Sequence, residues 1–168
     1  LKKGKIIKLT VLAVLVIGFL IPQNLKMPVE NATSSDYNPN SFWYFPWGKS
    51  GTHKGVDVFA DKGTIINSST SGLVLYCGNI SRGGNFVLVL GPKWRLHYYA
   101  HLDEVKTSTL SFVNNESIIG TVGDSGNAAG KAPHLHYSIL TLAPYIWRID
   151  SDEQGWKKMF YLNPIEYF

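Results

Sequence analysis

The chain has 168 residues, of which 17% are charged, 45% hydrophobic and 13% aromatic. That is enough apolar material for one packed core, too little length for two ordinary domains, and not the composition of a disordered or collagen-like chain. The net charge of +4 does not mark a nucleic-acid binder, because five of the sixteen bases stand at Lys2, Lys3, Lys5, Lys8 and Lys26 while every acid comes later, and a duplex-binding module spreads its bases over a working face.

Four of those lysines precede an uncharged run from Leu9 to Ile21, closed by Pro22. Its length matches the apolar region of a secretory signal and falls short of the roughly 20 residues needed to cross a bilayer. Residues 1–22 are therefore read as an export leader, either a signal peptide or, since no good small-x-small cleavage pattern follows, an uncleaved anchor attached to a membrane through residues 9–21. Both readings place the remainder in the cell envelope. Residues 23–40, rich in Ser, Asn and Asp, are predicted as a polar linker.

From Ser41 onward, short β-branched and aromatic runs alternate with glycine. Strands are predicted at Val56–Ala60, Thr64–Ser68, Gly72–Cys77, Phe86–Leu90, Leu96–Ala100, Ser117–Val122 and His134–Leu140. Seven strands at close spacing without a helical period predict a mostly antiparallel β domain over residues 41–141. The aromatic residues of 142–168 are expected to pack back over the sheet. The run Phe42 to Gly48 is read as an aromatic cluster closing a sheet edge, with a place in a substrate groove as the alternative. Cys77 is the sole cysteine, which excludes an intrachain disulfide and a thiolate zinc cage. It is read as a small buried hydrophobe.

The five histidines carry the chemistry. In His134-Leu135-His136 strand alternation puts both imidazoles on one face. His53 and Asp57 are four residues apart, roughly 13 Å along a straight strand, whereas two ligands of one zinc must lie within some 3 to 4 Å of each other. The chain must bend between them, and Gly51 and Gly55 supply the freedom. His53, Asp57 and one member of the His134/His136 pair thus offer three ligands for Zn2+, with the fourth position left for water, the condition for hydrolytic zinc. The helical His-Glu-x-x-His motif with its glutamate base is absent, which leaves histidine as the proton carrier. His101 is a further candidate, and His97 is read as a structural or substrate-rim residue.

Taken together, His53-x-x-x-Asp57, Tyr99-Ala100-His101-Leu102, the glycines Gly120, Gly123 and Gly126, and Pro133-His134-Leu135-His136-Tyr137 resemble the lysostaphin-type (LytM-type) zinc metallopeptidases. The resemblance covers Phe45 to about Ile139. It implies an antiparallel β-sheet or β-sandwich of the duplicated-hybrid-motif type with an active-site groove. It also implies a zinc endopeptidase acting on the peptide part of bacterial peptidoglycan. The matching motifs assign His53, Asp57 and His136 as metal ligands, and His134 and His101 as the residues that activate water and steady the transition state. A catalytically inactive relative that activates another wall hydrolase is the alternative. Ser138 stands where many relatives carry an acid.

Overall fold

The computed structural model describes residues 3–168. It contains one α-helix, α1 (Lys3–Leu20), and nine strands: β1 (Val56–Phe59), β2 (Ile65–Asn67), β3 (Gly72–Ile80), β4 (Gly84–Gly91), β5 (Arg95–Val105), β6 (Phe112–Val113), β7 (Ile118–Val122), β8 (His134–Thr141) and β9 (Tyr161–Leu162). The central path runs β1-β8-β5-β4-β3-β6; β7 pairs with β5 and carries β2, and β9 pairs with β8. Every pairing is antiparallel, as the glycine-punctuated runs predict. The seven expected strands are present. β6 and β9 are additional, two residues each and too short to show a period.

The sheet has one dry face. Val56, Val58, Tyr99, Leu135, Tyr137 and Ile139 are fully buried there and meet Ile66, Leu102, Ile119 and Val122 from the β2–β7 ribbon and the end of β5. His134 and His136 alternate with Leu135 and Tyr137 and so emerge on the opposite face.

Residues 23–40 lie against the domain. Leu25 and Val29 are buried in its core, Glu30 N donates to Ile65 O, and Asn67 N donates to Pro28 O. The alternation of Leu25, Met27 and Val29 accounts for this, since it gives an extended segment one apolar edge. Val29→Ala should cost about 2 kcal/mol of stability, read by urea denaturation; a loss below a few tenths would show that the segment does not help to close the core.

Among the described residues no helix is long and apolar enough to cross a membrane. α1 touches the domain at its C-terminal end, where Trp94 Nε1 donates to Leu15 O at 2.9 Å and Lys93 Nζ to Phe19 O at 3.1 Å. Gly18 allows the approach: a Cβ there would lie 2.2 Å from the Trp94 ring. The C-terminal residues cover the sheet in part. Phe168 stacks on Tyr137 with centroids 5.9 Å apart and Leu162 is buried, whereas Trp147 and Trp156 are exposed. Cys77 is half-buried rather than enclosed, because β3 lies toward an edge of the sheet and one flank of its residues faces solvent.

Candidate metal centre and groove

Strand register assembles the site. β1 and β8 pair with Asp57 opposite His136 and Phe59 opposite His134, so carboxylate and imidazoles project side by side from neighbouring strands. His53 reaches them from the turn before β1. Gly51 takes φ +78° within that turn, as the spacing argument requires. Gly55 serves a different need: a Cβ would lie 2.4 Å from Tyr137 O and 3.0 Å from His136 Cε1, so glycine lets the turn approach β8 closely.

The result is a tight triangle. His53 Nε2 lies 3.1 Å from Asp57 Oδ1 and 3.1 Å from His136 Nδ1, and His136 Nδ1 lies 2.7 Å from Asp57 Oδ1. Burial alone would raise the Asp57 carboxyl, but the His136 and His53 imidazoles set against it reverse that and hold it well below the usual carboxylate range. The far side of each imidazole is anchored. His53 Nδ1 is 3.0 Å from Ser41 O, and because a carbonyl only accepts, Nδ1 carries the proton and Nε2 presents a lone pair. Ser138 Oγ is 3.0 Å from His136 Nε2; a hydroxyl donates or accepts, so it follows either tautomer. His53, Asp57 and His136 thus aim three electron-pair donors at one point with at most one proton among them in the neutral state, a donor set that fits a divalent cation with nitrogen and oxygen preference.

His134 and His101 stand beside this triangle. His134 Nδ1 is 2.8 Å from Ala132 O and its Nε2 is 4.0 Å from Asp57 Oδ2. His101 Nδ1 is 2.9 Å from Ser125 O, and its ring centroid lies 5.0 Å from that of His134 and 6.0 Å from that of His136. With Nδ1 donating to a carbonyl in each, both present Nε2 as a lone pair. Burial is the main cause that lowers the His101 pKa, to about 4, against the pull of the Ser125 carbonyl; this imidazole is therefore neutral at pH 7.

His101 reaches the site by breaking strand parity. Between the Val87–Tyr99 and Asn85–Leu102 pairs, β5 contributes one residue more than β4, and His101 takes φ +65°. Such a bulge turns the side chain out of its expected face.

His97 is fully buried among Tyr137 and Gln23 and does not reach the groove, so the structural alternative holds for it. The aromatic cluster divides. Trp43 turns inward, with Nε1 donating to Glu153 O at 3.0 Å. Trp47 stacks on His53 at 4.1 Å between centroids and lines the groove, rather than taking the edge-closing role that the sequence alone suggests for this run. Ser41, Ser125 and Ser138 escaped the sequence analysis as partners of the histidines, since a polar residue in a loop or strand carries no signal of what it will meet.

Asp57, His101, His134 and His136 line a groove of about 750 Å3, together with Lys49, Ser81, Arg82 and Lys131, and His53 is buried beneath its wall, stacked on Trp47. Shape, open access and paired free bases beside a cation site suit hydrolysis of an extended chain.

Comparison with known proteins identifies the family. The model of the family described as Peptidase family M23 matches residues 51–146, a span that contains all five side chains. The L-Ala--D-Glu endopeptidase of Bacillus subtilis (strain 168) is 34% identical over 116 residues, 62% of this chain and 35% of that protein. The murein hydrolase activator NlpD of Salmonella dublin is 32% identical over 120 residues, 65% of this chain and 31% of that protein. The chain thus spans about a third of the length of these curated relatives. Among solved structures, the catalytic domain of the antimicrobial peptidase lysostaphin from Staphylococcus simulans superposes with a TM-score of 0.62 at 23% identity, covering 82% of this chain and 98% of that one. That likeness establishes the shared fold.

Proposed function

The chain belongs to peptidase family M23, and from that premise we propose that it is a zinc-dependent endopeptidase hydrolysing amide bonds in the stems or crosslinks of bacterial peptidoglycan. The observation that carries this reading is the convergence of His53, Asp57 and His136 beside two further imidazoles with free Nε2 atoms in an open groove. His53, Asp57 and His136 would hold the ion. When bound, zinc supplies Lewis acidity, polarising a carbonyl and acidifying water at neutral pH.

The remaining work falls to the protein. His134 and His101, oriented by Ala132 O and Ser125 O, take the proton of the attacking water and return one to the leaving nitrogen. Once protonated, the same Nε2–H groups donate to the oxygen on which negative charge develops. Trp47 and Ser138 hold His53 and His136 in place. The groove accepts a peptide in extended form. In this reading residues 1–22 direct export to the cell envelope, as a cleaved signal or a retained anchor.

Mass analysis of muropeptides released from purified cell walls, with zinc-loaded and chelated protein, tests the proposal. Release that requires zinc, with new peptide termini, supports it; no release in either state removes it. The likeness to a murein hydrolase activator favours one second reading, in which the domain stimulates another enzyme. That reading predicts no release by the protein alone and increased release when a separate wall hydrolase is added.

A further inference from the structure

The groove carries an uneven charge that the hydrolytic site does not use. Three cations line it from three separate loops: Lys49 in the turn before His53, Arg82 in the β3–β4 turn, and Lys131 in the loop before β8. All three are exposed, and none forms an ion pair among the described residues. The β3–β4 turn is fixed to the far wall, with Asn127 N donating to Arg82 O at 3.1 Å and His101 N to Gly83 O at 2.8 Å. Asp57 is the sole acid in the lining, and its Oδ1 already lies against His136 Nδ1 at 2.7 Å. Elsewhere on the surface the lysines near acids are paired, as Lys62 is with Asp103 and Asp124 and Lys158 with Asp150 and Asp152.

We propose that Lys49, Arg82 and Lys131 select an anionic peptide, so that the groove takes a stem peptide with free carboxylates in preference to an amidated stem or an uncharged glycine bridge. The proposal rests on the hydrolytic reading above only in assuming that a wall peptide occupies this groove. Unpaired cations around a concave site raise the local concentration of an anion and add contacts at its rim. Arg82 can meet a carboxylate with two parallel N–H donors, whereas the lysines act as point charges. A polyglycine segment offers neither charge, and amidation of a stem removes the charge while keeping its shape.

The test uses the full chain, zinc-loaded and metal-free, with a stem tetrapeptide carrying free carboxylates, the same peptide with those groups amidated, and pentaglycine, each bearing one neutral dye. Binding by fluorescence anisotropy should favour the carboxylate peptide over the amidated one by about tenfold at low salt, since exposed ion pairs are individually weak. The preference should shrink several-fold at about 0.5 M salt through screening. The triple variant Lys49→Gln, Arg82→Gln, Lys131→Gln should bring the ratio near one, while Lys49→Arg, Arg82→Lys, Lys131→Arg should keep most of it. Equal binding of the two tetrapeptides, or a preference that survives the glutamine variant, overturns the proposal. Zinc-loaded protein that prefers the carboxylate peptide but releases nothing from purified cell walls leaves charge selection standing and removes the hydrolytic reading. Protein that binds and cuts both tetrapeptides equally does the reverse.

Discussion

His136→Ala is expected to lose its zinc on dialysis and to release muropeptides at least about 10³-fold more slowly, whereas His134→Ala should retain zinc and still lose about 10²- to 10⁴-fold in rate. The two residues are neighbours on one face of β8, yet their nitrogens have different company. His136 Nδ1 lies 2.7 Å from Asp57 Oδ1 and 3.1 Å from His53 Nε2, so its truncation leaves two donors where three converge. His134 Nε2 stands 4.0 Å from the nearer Asp57 oxygen, too far to share that point and near enough to handle a proton beside it. Asp57→Asn should follow His136→Ala, because an amide oxygen brings no charge to offset the ion. The checks are zinc content by elemental analysis after dialysis and the rate of muropeptide release. A His136→Ala protein that holds stoichiometric zinc, or a His134→Ala protein that loses it, would reverse these assignments.

The contrast between His134, His136 and His101 shows what a sequence can carry. The first two share a face because strand residues alternate, a local rule that needs only His-x-His. The pairing of Asp57 with His136 is non-local; its register is fixed by burying Val56 and Val58 against Leu135 and Tyr137, which no spacing within either segment specifies. Along β5 the alternation rule even misleads: parity would place His101 with the buried Tyr99 on the dry face. The bulge at His101, with its positive φ, turns the ring to the groove instead. A motif resemblance found that residue, where periodicity could not. Leu25 and Val29 failed to signal for another reason, since their alternation is short and surrounded by polar residues that read as loop. Arg82 and Lys131 are two solvated charges in sequence, and only the folding of three loops around one groove gives them a common target.

The same parity sends His97 to the dry face, and the consequence is a large dependence of stability on pH. His97 is fully buried, with Nδ1 2.7 Å from Tyr137 Oη and Nε2 3.1 Å from the Gln23 amide nitrogen. The amide donates to Nε2, so Nδ1–H donates to the tyrosine and the ring is satisfied only while neutral. Burial, helped by the Arg95 guanidinium, holds its pKa down at about 3, against roughly 6.5 in an unfolded chain. Below that value the unfolded state takes up a proton that the folded state refuses. The contribution is therefore complete above about pH 6.5 and lost progressively as the pH falls toward 3, amounting to about 3 kcal/mol by pH 4. His101, also depressed, acts in the same direction over a narrower range. Urea denaturation of chelated protein at pH 7 and pH 4 measures the total, and chelation keeps protonation of metal ligands by loss of zinc out of the comparison. His97→Gln has no proton to gain. Its stability at pH 7 should be lower for want of the ring's packing and hydrogen bonds, but its fall between pH 7 and pH 4 should be smaller than that of the parent by about 3 kcal/mol. Equal falls in the two proteins would mean that His97 takes its proton without unfolding the chain. Because Tyr137 follows His136 on β8 and Gln23 follows α1, acid that strains this contact acts at once on the support of the candidate metal site and on the segment that joins α1 to the domain.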